Sequence, residues 1–328
     1  MHDLIGGEIM SYLHYKAINW NEIEDSLDHS TWEKLTSLFW LDTRIPVTNE
    51  KSQWEDLPEN ERKVFLKTLA GLASVATFQS ERGFMVIEEG EHTQQEAAIY
   101  NNIQFIESVH AKAYNTILIG FNEPKEVDDI LIWADNNIEL KYRLDRILEV
   151  YKTGTTLQKR VANLILEGVL TYSGLFTPLL YWTQKRFTSV AEIIKLVLTN
   201  ESLHCFYISH KFQLGFSELS QQEQTELRDW TFDLFVDLVN NELNYIEQIY
   251  YRTDWLEEVK DFIRQQANNA LKSLGFDTIY PESATNNTYI DSINAILTKV
   301  THHEVDSQSS ISFQVDKEDL MTEEDYDF

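Results

Sequence analysis

The stretch LILEGVLTYSGLFTPLLYW, Leu164 to Trp182, is apolar on nearly every side. A helix without a polar face cannot lie on a surface, so it requires a ring of other helices and places the chain among helical bundles. The surrounding sequence agrees, because helical periodicity dominates from about Thr31 onward. Asn60 to Gln79, Gln94 to Ile119 and Leu157 to Trp182 read as long helices. Val190 to Gln213 and Gln222 to Tyr251 read as two more, with shorter ones near 127–150 and 255–274. Only 11 Gly and 5 Pro in 328 residues leave few turn formers for a protein of many short strands. Pro178 is expected to kink the apolar helix or to shift its hydrogen bonding locally.

The net charge of -27 disfavours nucleic acid as a partner, since no basic patch offsets it. A single cysteine, Cys205, excludes an internal disulfide and fits a reducing, cytoplasmic setting. Its apolar surroundings suit a small buried hydrophobe better than a nucleophile. With no run of 18 apolar residues and no basic-then-apolar start, neither a membrane span nor a signal peptide is expected. Three regions are expected: an N-terminal extension over 1–20, one helical domain over 21–300 and a flexible acidic tail over 301–328.

Two segments inside apolar helices carry chemistry, NIQFIESVHAKAY and IIKLVLTNESLHCFYISH. Each holds Glu-x-x-His, as Glu107/His110 and Glu201/His204, and residues at i and i+3 share a helical face. Such a pair offers one carboxylate oxygen and one imidazole nitrogen to a common point, a donor set that suits Fe or Mn. The spacing alone is weak evidence, because about one such pair is expected by chance in a chain this rich in Glu. Glu89/His92, in the polar stretch EEGEHTQQ, reads as that chance pair. The neighbours Ile103, Phe105, Ile106 and Val109, and Leu196, Val197, Leu198 and Leu203, call for burial of the other two. A third acid, Glu167, lies within the apolar helix itself. A buried ionised carboxylate is costly unless it is paired or bound to metal. For any one of these acids an Arg or Lys across the bundle is the competing explanation. Glu on some helices with Glu-x-x-His on two others matches the carboxylate-bridged dimetal bundle. Tyr114 follows His110 by four residues on the same face.

These segments resemble, in order, those of class Ib ribonucleotide reductase small subunits. AINWN, LTSLFW with IPVTNEKSQW, ESVHAKAY, LEGVLTYSG and ESLHCFYISHKFQ carry the likeness over about residues 15 to 290. The resemblance implies an all-α, ferritin-like helical bundle, a homodimer, and storage of a radical for a separate large catalytic subunit that makes deoxyribonucleotides. It implies Glu107, His110, Glu167, Glu201 and His204 as ligands of a dinuclear Fe or Mn site. Tyr114 would be the radical tyrosine and Trp40 the start of the transfer route. It implies docking through the tail, where Tyr326 and Phe328 lie among acids, and, with manganese, a flavodoxin-like activating partner.

Three positions depart from the family pattern. Where the first bundle helix normally supplies an aspartate ligand, SVATFQ places Ala76, and Glu81 lies on another face. Water is then expected to complete the shell nearest Tyr114. Asn200 stands where an aspartate links the histidine ligand to the tryptophan. In the tail, SSISF offers Ile311 and Phe313 where a relay tyrosine is usual, and Tyr326 lies close to the docking end. The alternative reading is therefore a divergent paralogue with an incomplete dimetal site and no radical transfer, either a ferritin-like oxidase or a non-catalytic modulator.

Overall fold

The computed structural model describes residues 17–281, apart from 89 and 91, and residues 288–305. The tail residues Ile311, Phe313, Tyr326 and Phe328 lie outside the described residues, as do Glu89 and most of the expected N-terminal extension. Among the described residues every regular element is helical. In order these are α1 (Ser26–Ser37), α2 (Lys51–Glu55), α3 (Glu59–Arg82), α4 (Gln94–Phe121), α5 (Pro124–Asn136) and α6 (Ile138–Thr153). They are followed by α7 (Thr156–Ile165), α8 (Tyr172–Thr183), α9 (Thr188–Ser217), α10 (Gln221–Tyr250), α11 (Leu256–Ser273) and α12 (Thr288–Val305).

Helices α3 and α9 pack on the apolar run formed by α7 and α8, as do α6, α10 and α11, and α4 lies against α3 and α9. The run Thr156–Thr183 is long and apolar enough to cross a membrane, but 89% of its most apolar window is buried inside the protein. The expectation of a helix at the bundle centre holds.

The irregularity in that run falls elsewhere than at Pro178. Leu166–Leu170 form a π-helical turn between α7 and α8, while α8 continues through Pro178. Such turns hold one residue more per turn than an α-helix and often occur at functional sites. The expected helix over 127–150 is two helices, because Asn137 takes an extended conformation and its side chain accepts from Leu140 N–H at 3.0 Å. That is an N-cap, which ends α5 and starts α6.

The start of α9 is secured from a distance. Glu50, itself buried, accepts from the backbone N–H of Ser189 at 2.8 Å and Val190 at 3.2 Å, and from Thr188 Oγ1 at 3.1 Å. A carboxylate there satisfies free N–H groups and faces the positive end of the helix dipole. The preceding turn passes through Phe187 in the left-handed region, at φ 51°. That conformation is costly for a side-chain-bearing residue. It is held by the bond from Phe187 N–H to Gln53 Oε1 at 3.0 Å and by the ring packing on Phe65, Phe121 and Tyr181.

Candidate metal centre

Helix α4 presents Glu107, His110 and Tyr114, the π turn presents Glu167, and α9 presents Asn200, Glu201 and His204. All seven are buried, none more than 3% exposed. Ligand atoms of Glu107, Glu167, Glu201 and His204 all lie within 4.8 Å of one another. His110 adjoins this group, with Nδ1 3.2 Å from Glu107 Oε1 and 3.3 Å from Glu201 Oε1. His204 Nδ1 lies 3.2 Å from Glu167 Oε2 and 3.6 Å from Glu107 Oε1.

These atoms are close without being hydrogen-bonded. Glu107 Oε1, His110 Nδ1, Glu167 Oε2, Glu201 Oε2 and both ring nitrogens of His204 are buried and lack hydrogen-bond partners. Native interiors rarely leave several polar atoms unsatisfied in one place. Four of these side chains offer atoms near enough to one another to reach a single ion. The alternative of an Arg or Lys partner does apply elsewhere: Glu96 pairs with Arg160 and Glu242 with Arg143. The near neighbours of Glu107, Glu167 and Glu201 are instead histidines and amides. Glu107 Oε1 stands within reach of both histidines, whose ring centroids are 6.3 Å apart. Oxygen and imidazole donors in this arrangement fit a dinuclear Fe or Mn centre.

The protonation balance reflects this crowding. Burial, then repulsion from Glu107, pushes the Glu201 carboxyl up to about 7. Burial alone would pull His110 down, but Glu107 and Glu201 beside it outweigh that effect and bring it to about 10. Burial raises Glu107 as well. Tyr114 is held well above the ordinary tyrosine range by burial, then by the charges of Glu201 and Glu107.

Asn200 joins the centre to Trp40. Its Oδ1 accepts from Trp40 Nε1 at 2.8 Å and lies 3.3 Å from His110 Nε2, while the Trp40 and His110 rings stack with centroids 6.1 Å apart. In the neutral form of His110 the Asn200 oxygen favours the proton on Nε2, which would leave the Nδ1 lone pair facing Glu107 and Glu201. Asparagine thus keeps the geometric link expected of an aspartate, without the charge. The loop after Trp40 is tied to α4 by Asp42, which accepts from Lys112 Nζ at 2.6 and 2.8 Å and from Thr116 Oγ1.

Ala76 is buried on α3, and among the described residues α3 contributes no carboxylate to the cluster. Glu81 is exposed beside Arg82, as expected of another face. His92 Nδ1 is 2.8 Å from the Gly90 carbonyl. Cys205 is half-buried with Sγ against Gly168, and burial first, then the nearby glutamates, holds its thiol above the usual range. Phe105 departs from expectation: it is 51% exposed and stacks on Phe39, because residue 105 falls on the outer stripe of α4.

Sequence reasoning missed two amides. Gln79 Nε2 and Asn163 Nδ2 both donate to Glu167 Oε1, at 2.6 and 2.5 Å, and Gln79 Oε1 accepts from Tyr151 at 3.1 Å. They hold one oxygen of Glu167 and turn the other toward His204. The available signal was their polarity at positions of apolar helices that demand burial, one of them four residues before Glu167.

Two helices with Glu-x-x-His, a third glutamate on a π turn and a buried tyrosine define a dimetal-carboxylate protein of ferritin-like architecture. The family model for ribonucleotide reductase, small chain, matches residues 17–288. The chain belongs to that family of oxidoreductase subunits, which generate a radical and work with a large subunit. It is 33% identical over 317 residues to the ribonucleoside-diphosphate reductase subunit beta of Mycobacterium leprae, covering 95% of this chain and 96% of the relative. It is 32% identical over 318 residues to the Escherichia coli ribonucleoside-diphosphate reductase 2 subunit beta, covering 95% and 98%. Among solved structures, the dimanganese(II)-NrdF of Streptococcus sanguinis superposes with a TM-score of 0.82 at 45% identity, covering 88% of this chain and 100% of that one.

Proposed function

We propose that Glu107, His110, Glu167, Glu201 and His204 hold two Fe or Mn ions and that Tyr114 carries the radical. The observation that supports this most is the set of buried, unpartnered donor atoms converging from α4, the π turn and α9. Glu107, near both histidines, would be one of the glutamates shared between the two ions. Bound there and oxidised by an external oxidant such as a reduced-oxygen species, the metal pair would supply the oxidising capacity for taking one electron from Tyr114. The remaining tasks fall to the chain itself. Gln79 and Asn163 orient Glu167, and Asn200 fixes the His110 tautomer. Tyr114 is a neutral phenol in its buried setting, so losing an electron requires losing its hydroxyl proton too. Trp40, hydrogen-bonded to Asn200, begins the route out of the centre.

Manganese is a fitting metal by likeness to the Streptococcus sanguinis protein, and a flavodoxin-like activating partner would accompany it. We further assign a homodimer in the cytoplasm, a domain over 21–300, and tail docking over 301–328 to a large subunit.

Ala76 favours a second reading in part: the position nearest Tyr114 holds its ion less firmly than the position made by Glu107, Glu167, Glu201 and His204. Anaerobic loading with Mn(II) or Fe(II), followed by metal analysis and electron paramagnetic resonance, tests both readings. Two ions per chain and an activation-dependent tyrosyl signal that Tyr114→Phe abolishes are expected. One ion and no radical would replace the reductase reading with that of a paralogue.

A further inference from the structure

The π turn that carries Glu167 is anchored from behind by a buried ion pair. Arg143 on α6 and Glu242 on α10 are 2% and 0% exposed, and Arg143 Nη1 pairs with Glu242 Oε2. At the junction of the π turn with α8, the N–H groups of Gly174 and Leu175 both donate to the Thr171 carbonyl at 3.1 Å. The Leu170 carbonyl, last of the π turn, instead accepts from Arg143 Nη1 at 3.3 Å. Glu242 accepts from the Ser173 hydroxyl through its other oxygen, Oε1. The Ser173 carbonyl in turn accepts from Tyr250 at 2.7 Å. The Arg143 guanidinium also lies over the Tyr245 ring, 4.8 Å from its centroid.

A π turn displaces backbone carbonyls from their regular partners, and buried carbonyls need new ones. Arg143 and Glu242 therefore grip both sides of the junction, one at Leu170 and the other at Ser173. A buried ion pair is weak evidence for stability, since apolar side chains of similar volume often serve as well. Its position offers a more specific explanation. Glu167 lies three residues before the gripped carbonyl, within the same turn, and its own carbonyl accepts from Thr171 Oγ1 at 2.7 Å.

We propose that Arg143 and Glu242 are positioning residues for the metal centre, holding the π turn in the register that points Glu167 Oε2 at His204. The proposal rests on the metal reading above. Neither residue touches the centre, so an effect on metal geometry would have to travel through the turn.

The test uses the full-length protein, with Mn(II) affinity and the visible absorption of bound Co(II) as readouts. The double variant Arg143→Met/Glu242→Leu replaces the pair with apolar side chains and strands no charge. It is expected to bind Mn(II) about tenfold more weakly, with a shifted Co(II) spectrum. Arg143→Lys, which keeps a donor for Leu170 and a charge for Glu242, should stay within about threefold of the wild type and keep its spectrum. A folded double variant with unchanged affinity and spectrum would overturn the proposal and leave the metal reading intact. A wild type that binds neither ion would overturn both. Should the double variant fail to fold, Ser173→Ala removes one side of the grip without uncovering a charge. It should weaken Mn(II) binding about threefold, and unchanged binding and spectrum would count against the proposal.

Discussion

Gln79→Leu is the most informative single change, because it separates orientation of a ligand from supply of one. Leu keeps most of the side-chain volume and removes two hydrogen bonds, one to Glu167 Oε1 at 2.6 Å and one from Tyr151 at 3.1 Å. A bond to a carboxylate contributes about 1.5–3 kcal/mol, and a buried hydroxyl left unpaired costs about 1–3 kcal/mol. The added apolar contact offsets roughly 1–2 kcal/mol of this. The net loss is then about 2–3 kcal/mol, which for a chain of this size lowers the melting temperature by about 3–4 °C. The larger effect falls on the metal. Asn163 still holds Glu167 Oε1, but a side chain with one tether samples orientations that face away from His204. Loss of such outer partners weakens metal binding by about 10–100-fold. A more basic carboxylate would act in the opposite direction, and the magnitude says orientation wins. Calorimetry of the metal-free protein gives the first quantity, and Mn(II) titration followed by the signal of the free ion gives the second. Tyr151→Phe, which leaves the Gln79–Glu167 bond intact, serves as the control and should change affinity little. Affinity equal to or tighter than wild type in folded Gln79→Leu would refute the reasoning.

The remaining predictions concern charge, ligand number and capping. Glu201 and His110 both bind protons more tightly in the folded, metal-free protein than their ordinary values of 4.5 and 6.5 allow. The Glu201 contribution is lost as pH rises from about 4.5 through 7, and the His110 contribution, complete below 6.5, is lost on the way to about 10. The melting temperature of the metal-free protein should therefore fall between pH 6 and 9 while Mn(II) affinity climbs, as protons leave the donors; a flat or rising melting curve would contradict this protonation balance. Ala76→Asp should tighten binding of the second, weaker Mn(II) ion by at least about tenfold, read by titration against the signal of the free ion; no gain would mean that α3 does not face that position. Glu50→Ala uncovers the first N–H groups of α9 and should cost about 2–4 kcal/mol in thermal unfolding. A loss below about 0.5 kcal/mol would show that water replaces the carboxylate there.

The bundle and the buried cluster of five candidate ligand side chains were legible because their signals are local. Acids and histidines set among Ile, Val and Leu on one helical face conflict with burial unless something binds them. Glu50, Asp42, Gln79 and Asn163 were harder to read. Three of these four act on partners 70 or more residues away, as Glu50 does on Ser189 and Gln79 on Glu167, and nothing in their own neighbourhoods records it. Asn163 lies only four residues from Glu167, but assigning its bond requires knowing that the helix turns both side chains inward. Periodicity placed Phe105 in the core because it counts apolar residues, whereas a neighbour such as Phe39 can shelter one at the rim. The Asn136–Asn137 pair marked a helix boundary that continuous periodicity obscured. The π turn has no local signature, since its spare carbonyl is satisfied by Arg143, 27 residues earlier.

That turn also makes chain length a functional variable. A π turn is equivalent to one additional residue inserted into an α-helix, and each residue advances a helix by about 100°. Deleting a single residue between Leu166 and Leu170 would let α7 and α8 merge into one regular helix, which by propensity alone is the easier structure to form. Because the wide turn already absorbs the extra residue, α7 before it and α8 after it would keep close to their present faces, and the change would fall on the residues of the turn itself. Glu167 would lose the wide turn that aims it at His204, and the Leu170 carbonyl would return from Arg143 to a regular helical partner. Substitution matrices treat Leu166–Leu170 as ordinary apolar helix, yet a one-residue deletion there would be far more damaging than most replacements of the same side chains.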